Sequence, residues 1–404
     1  MIKKGFVKEL KWRGLVYDMT PGLDSAFDKG STLYIGIDPT GDSLHIGHLM
    51  GLVMLKRAVQ YGNKAIVIVG GGTSLIGDPS GKDKERPVVE SSVIEKNKKN
   101  LKKQVSRFIE FGDGKAKMID NVDWLGKVKL IDFLREIGKH MSVSEMMSKD
   151  SVKERLGRAQ GLSYAEFTYQ LLQAFDFLEL FGQYGCNVQV GVSDQWGNIL
   201  QGVELIRKKT SGKAHGLSFP LITDPKTGKK FGKTAAGAAI WLDKEKTHPF
   251  DFYQFLVNVS DDLAPTLMRF FSFQTKQKIE EIEKKWNKNK GKRLMQRELA
   301  FELTSLVHGE KMAKQAEKIA EILFNKGVME LTVSDFNFIK ESLPNFKLKG
   351  KLDLVDALLK LGLTSSKGEG RRLIKQKGVS CEMFHKRFFL IRKGKKDYGI
   401  VDVL

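Results

Sequence analysis

The alternation of short strand-like runs with longer segments of helical spacing constrains the fold of this chain most strongly. The strand-like runs are residues 32–37, 64–69, 115–119 and 187–192. Between them apolar residues recur with helical spacing, for example over 46–60 and 164–181. This alternation predicts an α/β domain over residues 1–220, with a doubly wound, mostly parallel, Rossmann-like sheet. Ligands of such sheets bind beyond the carboxyl ends of the strands.

The rest of the chain predicts further domains. Residues 221–247 connect to a highly charged segment, 248–325, whose pattern is helical and contains no convincing strand. Residues 326–346 include glycine, proline and asparagine, which predicts a linker. Residues 347–404 begin with the amphipathic run "LVDALLKLGL" and end in short β-like runs, so we predict a small α+β domain there.

The chain is strongly basic, with a formal net charge of +20. Residues 347–404 alone carry 15 lysines and arginines against 6 acidic residues. A surface of this kind usually binds a polyanion, because contacts to phosphates release counterions. The alternative is a lysine-rich proteome in which every protein is basic. The local surplus favours a polyanionic partner for the C-terminal domain.

Several classes of protein are disfavoured by the sequence. No apolar stretch approaches the roughly 20 residues of a membrane helix, so no membrane association is expected. The N-terminus, "MIKKGFVKELKWRG", lacks the apolar region of a secretory signal. The two cysteines, Cys186 and Cys381, are far apart, which excludes a disulfide framework and cysteine-rich zinc modules. We therefore expect a cytoplasmic protein.

The first candidate site is "DPTGDSLHIGHL", between the first predicted strand and the first predicted helix. Its two histidines, His45 and His48, stand at the start of that helix, where unpaired N–H groups and the helix dipole attract anions. Gly47 between them allows close approach to the backbone. A zinc site would need further ligands, and neither cysteines nor an HExxH pattern supply them. A nucleotide phosphate is the favoured ligand, and burial of one histidine in the core is the alternative.

The second candidate site is the glycine-rich stretch "VGGGTSLIGDPSGKDKER", which follows the strand at 64–69. It fits neither the dinucleotide template, which would need glycine at Leu75, nor the P-loop template, which would need glycine at Ile76. Its cations are Lys82, Lys84 and Arg86. Cations on a loop rich in glycine, proline and serine suit a phosphate clamp, although a solvated loop is the alternative.

The third candidate site is the helix "YAEFTYQLLQAFDFLELF". Tyr169, Gln173 and Asp176 share one stripe of it, at positions i, i+4 and i+7. A phenol, an amide and a carboxylate on a mostly apolar helix would either face a pocket or form the exposed face. In a pocket they would recognise a small molecule that carries hydrogen-bond donors, such as an ammonium group or a hydroxyl.

The fourth candidate site is "TDPKTGKKFGKTAAGAAIWLD". A turn leads into Lys229, Lys230 and Lys233, which are spaced by Phe231 and Gly232. Several lysines on a glycine-containing loop again suit a phosphate clamp, and ordinary surface lysines are the alternative.

Together these stretches resemble the bacterial-type tyrosyl-tRNA synthetases of class I. "HIGH" at 45–48 is similar to the adenylate signature of the class, and "KFGKT" at 230–234 resembles its KMSKS-type loop. "IGDPSGK", "YQLLQAFDF", "SDQWGNI" and "DFYQF" follow in family order. In the tail, "SKGEGRRLIKQKGV" resembles a small RNA-binding module shared with a ribosomal protein. The resemblance covers nearly the whole chain.

The resemblance implies a tyrosine–tRNA ligase. Such an enzyme activates L-tyrosine with ATP to tyrosyl-adenylate and pyrophosphate, and then transfers tyrosine to the 3′ end of tRNA(Tyr). It also implies Mg²⁺ with the ATP, no tightly bound protein metal, a homodimer, and an anticodon-side role for residues 248–325. The alternatives are a related nucleotidyl transferase and a non-catalytic RNA-binding protein that kept the fold.

Residue roles also follow from the resemblance. For tyrosine, it implies that Tyr34 and Asp176 bind the phenolic hydroxyl, that Asp78, Tyr169 and Gln173 bind the ammonium group, and that Gln195 lies near the carboxylate. For catalysis, it implies phosphate contacts from Thr40, His45, Lys82, Arg86, Lys230 and Lys233. It also implies that the rest of ATP contacts Gly36, Asp38, Gly47, His48, Asp194 and Lys233. It implies that tRNA contacts Arg207 and Lys208.

Three positions near the expected ribose site depart from common family patterns. Ile35 stands where some relatives carry a small polar side chain, and Gly51 stands where threonine is frequent. Val192 replaces a glycine that often precedes "SDQWG". The expected tyrosine pocket has no such departures.

Overall fold

The computed structural model describes residues 2–80, 89–112, 116–157, 161–224, 228, 230–233, 237–325, 330–394 and 397–404. Its strands are β1 (Asp18–Met19), β2 (Thr32–Ile37), β3 (Lys64–Val69), β4 (Ala116–Asp120), β5 (Val188–Val192), β6 (His215–Phe219), β7 (Asn345–Leu348), β8 (Val379–Phe384), β9 (Phe388–Lys393) and β10 (Asp397–Val403).

The helices of the first 210 residues are α1 (Phe6–Arg13), α2 (Leu23–Lys29), α3 (Ile46–Gln60), α4 (Ser91–Val105), α5 (Val122–Leu125), α6 (Leu130–Glu136), α7 (Val143–Met147), α8 (Asp150–Leu156), α9 (Tyr164–Tyr184) and α10 (Trp196–Thr210). Those that follow are α11 (Pro249–Val257), α12 (Ala264–Phe271), α13 (Lys276–Lys288), α14 (Leu294–His308), α15 (Glu310–Asn325), α16 (Val333–Ile339), α17 (Leu354–Lys360) and α18 (Lys367–Lys375). The chain divides into two compact units, one formed by Met1–Asp243 and Ser260–Lys290, the other by Lys244–Val259 and Gly291–Leu404.

The first unit is built on a sheet of order β1-β6-β5-β2-β3-β4. Its strands run parallel except β1, which pairs antiparallel with β6 at one edge. The fold-class prediction is confirmed, and the four predicted strands are β2 to β5, each within one residue of its expected bounds. β6 was not predicted because its sequence, HGLSF, contains polar residues, although all five positions are buried.

The connections around β2 create the position for a ligand. From β2 the chain continues to β3 and β4 on one side, and it re-enters the sheet on the other side of β2 as β5. Such a reversal opens a crevice beyond the carboxyl ends of the two neighbouring strands. Here the crevice lies between the turn at 38–45 and the turn at 193–195.

β2 packs against α3 through a complementary pair of side chains. Ile35 is buried, and its Cδ1 atom lies 3.1 Å from the position that a Cβ at Gly51 would occupy. The large residue on the strand therefore occupies the room that a side chain on the helix would need. The two departures from the family pattern at these positions are linked sterically.

α9 is fixed at its first turn by a buried ion pair. The hydroxyl of Ser163 accepts a hydrogen bond from the backbone N–H of Glu166 in a capping box. Arg155, at the end of α8, donates two hydrogen bonds of 2.8 Å to the carboxylate of Glu166. Both side chains are buried, so this bidentate pair sets where α9 begins.

α12 and α13 belong to the first unit, although the sequence assigned them to a helical domain at 248–325. Two buried arginines explain this. Arg13 of α1 donates hydrogen bonds of 2.8 Å to the carbonyls of Arg269, Ser272 and Gln274. Arg57 of α3 donates to the carbonyl of Ser272 at 2.9 Å. The cationic side chains bind carbonyls at the C-terminal end of α12, where the helix dipole is negative.

The second unit contains α11, α14 and α15, followed by a small sheet. The stretch predicted as a linker, 326–346, contains α16, which begins in a capping box between Thr332 and Asp335 and buries Phe336. The C-terminal sheet has the order β7-β10-β9-β8, with only β7 and β10 parallel among its pairs. Together with α17 and α18 it forms the small α+β domain that the sequence predicts.

We expect Arg13→Met to lower the free energy of unfolding by about 2–3 kcal/mol, because it removes a buried charged donor from the carbonyls that end α12. Urea unfolding followed by tryptophan fluorescence measures this change. Lys11→Met, on the same helix but exposed, is the matched control and should shift stability little. Equal effects of the two substitutions would contradict the assignment of Arg13 as an anchor.

We also expect Gly51→Thr to destabilise the chain by about 1–3 kcal/mol, because the new side chain crowds Ile35. Ile35→Cys should create the missing space, so the double variant should cost clearly less than the two single variants together. A double-mutant cycle of unfolding free energies measures this coupling. Additive effects would show that the two side chains do not compete for the same room.

Candidate active site

The crevice beside β2 contains a deeply buried tyrosine. Tyr34, in the middle of β2, is 2% exposed, and its ring centroid lies 5.3 Å from that of Phe177 on α9. Its hydroxyl is buried without a hydrogen-bond partner among the described residues. Burial, and secondly the nearby Asp176 carboxylate, raise the pKa of this hydroxyl well above its ordinary value. A buried phenol in this state needs a polar partner that a ligand can supply.

Asp176 on α9 is the buried carboxylate of the site, 4% exposed. The indole N–H of Trp124 donates to its Oδ1 at 2.8 Å, and the amide of Asn121 donates to its Oδ2 at 2.9 Å. Burial raises the pKa of Asp176 to about 7, whereas the two donors act to lower it. A further donor, such as a ligand hydroxyl, would favour the carboxylate form.

Tyr169, one turn of α9 before Gln173, contacts the residue that follows β2. Its hydroxyl donates to Oδ2 of Asp38 at 3.1 Å, and the hydroxyl of Thr73 donates to Oδ1 at 2.9 Å. Burial, followed by the charge of Asp38, raises the pKa of Tyr169 well above its ordinary value. The predicted stripe on α9 therefore faces the crevice rather than solvent.

The glycine run after β3 makes room for carboxylates. A Cβ at Gly70 would lie 1.9 Å from Oδ1 of Asp38, and a Cβ at Gly71 would lie 2.3 Å from Oδ1 of Asp120. The phosphate clamp predicted for this stretch depends on Lys82, Lys84 and Arg86, which lie outside the described residues. The glycines at 70 and 71 allow acidic side chains to approach the backbone, as in the 3.1 Å hydrogen bond from Gly71 N–H to Asp120.

Polar side chains from three segments meet at the other side of the crevice. The amide of Gln195 donates to Oδ2 of Asp78 at 2.8 Å. The amide of Asn198 donates to Oε1 of Gln173 at 3.0 Å and to Oε1 of Gln195 at 3.4 Å. The predicted residues Asp78, Gln173 and Gln195 thus form one network, and Asn198, which the sequence reasoning missed, joins them.

Lys149 is a second residue that sequence reasoning missed. Its ammonium group donates to Oδ1 of Asn198 at 3.4 Å. Burial lowers the pKa of Lys149 to about 7, whereas the charges of Asp78 and Glu145 act to raise it. No sequence signal singles out this lysine, because it lies among the many basic residues of a basic chain.

The two histidines of the signature cap α3. Nδ1 of His45 accepts a hydrogen bond from the backbone N–H of Gly47 at 3.1 Å, and Nδ1 of His48 accepts one from the backbone N–H of His45 at 3.2 Å. In the neutral rings the proton is then on Nε2, which can act as a donor. Both side chains are half-buried, and Gly36 at the end of β2 and Gly47 are exposed to the crevice.

The second signature lies against the first. The backbone N–H of Ile46 donates to the carbonyl of Ile240 at 2.8 Å, and the N–H of Ile240 donates to the carbonyl of Gly232 at 3.0 Å. A Cβ at Gly232 would lie 2.7 Å from the Cγ2 atom of Ile46, so only glycine fits there. Residues about 185 positions apart in the sequence are therefore joined at the start of α3.

The signature lysines lie on the exposed side of this junction. Nζ of Lys230 is 3.8 Å from Oδ2 of Asp194, and its side chain is 53% exposed. Lys233 pairs through its backbone with Ala239. The other cations of the two predicted clamps lie outside the described residues, namely Lys82, Lys84, Arg86 and Lys229. Thr40 is half-buried in the turn between β2 and α3.

The two residues expected to bind tRNA, Arg207 and Lys208, lie at the end of α10. Both form hydrogen bonds to residues that are close in space. Arg207 donates two hydrogen bonds to the carboxylate of Glu204, at 2.8 and 2.6 Å. Lys208 donates to the carbonyl of His140 at 3.1 Å.

Within the described part of the chain, no group of three acidic, histidine or cysteine side chains could hold a metal ion, and no helix is long and apolar enough to cross a membrane.

Comparison with known proteins identifies the family. Residues 28–325 match the family described as "tRNA synthetases class I (W and Y)". The tyrosine–tRNA ligase of Roseiflexus castenholzii is 43% identical over 97% of this chain and 98% of its own length. The same figures hold for that of Geobacillus stearothermophilus.

A solved structure agrees with these sequence relatives. The C-terminally truncated mitochondrial tyrosyl-tRNA synthetase of Aspergillus nidulans superposes with a TM-score of 0.71 at 33% identity, covering 80% of this chain and 95% of that chain. The matched family, the full-length relatives and the solved structure agree with one another. The chain belongs to the bacterial-type tyrosyl-tRNA synthetases of class I, enzymes that ligate tyrosine to tRNA.

Proposed function

We propose that the crevice binds tyrosine with its phenolic hydroxyl between Tyr34 and Asp176. The observation that carries this proposal is the buried Tyr34 hydroxyl, which has no partner among the described residues, close to a carboxylate whose donors, Trp124 and Asn121, fix its position. The substrate hydroxyl would donate to Asp176 and accept from Tyr34. Phenylalanine would leave both groups unpaired, which is unfavourable in a buried site.

The amino-acid end of tyrosine would lie in the polar network on the other side. Asp78, Tyr169 and Gln173 would hold the ammonium group, and Gln195 would lie beside the carboxylate. This arrangement is supported by the hydrogen bond between Gln195 and Asp78 and by the Asn198 contact to Gln173. It leaves the carboxylate directed towards the start of α3.

ATP would bind over the exposed backbone at the end of β2. The nucleoside would contact Gly36, Asp38, Gly47, His48 and Asp194. The phosphates would contact Thr40 and His45. Lys82, Arg86, Lys230 and Lys233 would neutralise the departing pyrophosphate. Mg²⁺ would enter as part of the ATP substrate, bound by its phosphates.

Two displacements would complete the reaction. An oxygen of the tyrosine carboxylate attacks the α-phosphorus of ATP, the bond to pyrophosphate breaks, and tyrosyl-adenylate forms. The carboxylate is itself the nucleophile, so the protein needs to supply orientation and positive charge rather than a general base. A ribose hydroxyl of the terminal adenosine of tRNA then attacks the adenylate carbonyl, and AMP leaves.

The tRNA would contact several parts of the chain. Arg207 and Lys208 would lie near the acceptor end, residues 248–325 would serve the anticodon side, and residues 347–404, joined by the segment 326–346, would bind RNA. Support for the last role comes from the exposed cations of α18 and its following turn, which are Lys367, Arg371, Arg372, Lys375 and Lys377.

We further propose that the enzyme is a homodimer that works in the cytoplasm. Leu130 and Ile131 on α6 are each 70% exposed, and Leu134 one turn later is also exposed. Val143 and Met147 of α7 expose further apolar surface. Large apolar side chains grouped on short neighbouring helices favour burial against a second copy of the chain.

We expect Asp176→Asn to reduce kcat/KM for tyrosine in ATP–pyrophosphate exchange by roughly 30- to 150-fold, because a charged hydrogen-bond acceptor is lost. Phenylalanine should be affected much less, so selectivity falls. Asp24→Asn, an exposed change on α2, is the control. Unchanged selectivity in the Asp176 variant would remove this residue from the pocket.

Lys233→Ala should slow adenylate formation by about 100-fold or more while tyrosine binding changes less than about threefold, because the lysine acts only as pyrophosphate departs. Single-turnover kinetics give the rate of adenylate formation, and equilibrium dialysis gives the tyrosine affinity. Lys244→Ala is an exposed lysine control. Parallel losses of rate and affinity would indicate a structural lysine instead.

A further inference from the structure

Asn121 connects the phenol end of the site to the glycine run after β3. It is 1% exposed, and its Oδ1 accepts a hydrogen bond from the backbone N–H of Gly72 at 2.8 Å. Because a backbone N–H can only donate, this contact fixes the amide orientation. The amide nitrogen must therefore face the other way, where it donates to Oδ2 of Asp176 at 2.9 Å and to Oγ1 of Thr73 at 3.0 Å.

Thr73 carries the chain of hydrogen bonds to the nucleotide side. Its hydroxyl accepts from Asn121, so its single proton is directed to Oδ1 of Asp38 at 2.9 Å. Thr73 is 2% exposed, which leaves water little access to its hydroxyl. The result is an ordered path from Asp176 through Asn121 and Thr73 to Asp38, with every donor assigned.

We propose that Thr73 and Asn121 are positioning residues that couple the phenol-binding carboxylate of Asp176 to Asp38, so that a bound phenolic hydroxyl tightens the binding of ATP. The inference rests on the proposed function, which puts the substrate phenol at Asp176 and the nucleoside at Asp38. Neither Thr73 nor Asn121 touches the substrates in this scheme. They act by holding the two carboxylates in one fixed arrangement.

The physical basis of this coupling is pre-organisation of the nucleotide side of the site by the first ligand. Without a ligand hydroxyl, Asp176 has two donors and burial raises its pKa to about 7, so the carboxylate and the neutral acid are both populated near neutral pH. A phenolic hydroxyl adds a third donor and fixes the carboxylate form. This charged acceptor restrains Asn121 more strongly, and through it Thr73 and the carboxylate of Asp38, before the nucleotide arrives. Ordering of this kind by one ligand lowers the cost of binding the next.

The test compares two ligands that cannot react. Tyrosinol and phenylalaninol both have the ammonium group and lack the carboxylate nucleophile, and they differ only in the phenolic hydroxyl. The dissociation constant of ATP is measured by equilibrium dialysis alone and with each amino alcohol at saturation. In the unmodified enzyme we expect tyrosinol to tighten ATP binding at least about fivefold more than phenylalaninol does, a typical coupling between sites.

Thr73→Val keeps the shape of the side chain and removes the hydroxyl, so it should bring the tyrosinol and phenylalaninol effects to within about twofold of each other. Thr73→Ser keeps the hydroxyl and should restore the difference. Thr20→Val is the matched control, because Thr20 is another buried threonine whose hydroxyl bonds to the backbone of Gly216, away from the path. It should keep the difference even if it lowers stability.

The outcomes separate the two proposals. An equal effect of tyrosinol and phenylalaninol in the unmodified enzyme, or an unchanged difference in Thr73→Val, would overturn the coupling path. If Thr73→Val does not fold, loss of the difference in Asn121→Ser supports the path and its persistence overturns it. Failure of the pocket assignment would show up elsewhere, as unchanged tyrosine selectivity in Asp176→Asn.

Discussion

The hydrogen bonds that surround the buried carboxylate of Asp176 constrain this site more than any other interaction. A carboxylate removed from water is stable only if donors surround it, and Trp124 and Asn121 provide two of them. These donors come from the residues that follow β4, while the carboxylate comes from the middle of α9. The position of α9 over the sheet, set at its start by the Arg155–Glu166 pair, is thus tied to the chemistry of the pocket.

Backbone hydrogen bonds, a second constraint, join the two signature segments. The start of α3 is capped by the histidine pair and is bound by the backbone around Gly232 and Ile240. These backbone contacts hold the described part of the second signature beside the start of α3. The proposed catalysis by orientation and charge would require this kind of fixed framework, because the substrate would supply the reacting carboxylate.

Part of the lining of the crevice could be predicted from regular periods in the sequence, whereas the roles of its other residues followed only from the family resemblance. The stripe of Tyr169, Gln173 and Asp176 follows from helical spacing, and the ends of β2 and β5 follow from strand-like runs. Thr73 and Asn121 could not be predicted, because each lies outside such a pattern and their partners are 35 to 55 residues away. The glycines at 70 and 71 fitted neither phosphate-binding template, and only the structure shows that their neighbours in space are carboxylates.

The sequence by itself determined the alternation of β2 to β5 with helices and the basic character of the chain. It did so because these features depend on local periodicity and composition. Tertiary structure decided which polar groups share the crevice, why Gly51 accompanies Ile35, and why α12 and α13 join the first unit rather than the helices beside them. Those outcomes depend on burial, since a polar group or a side chain finds its partner only when the fold brings distant segments into contact.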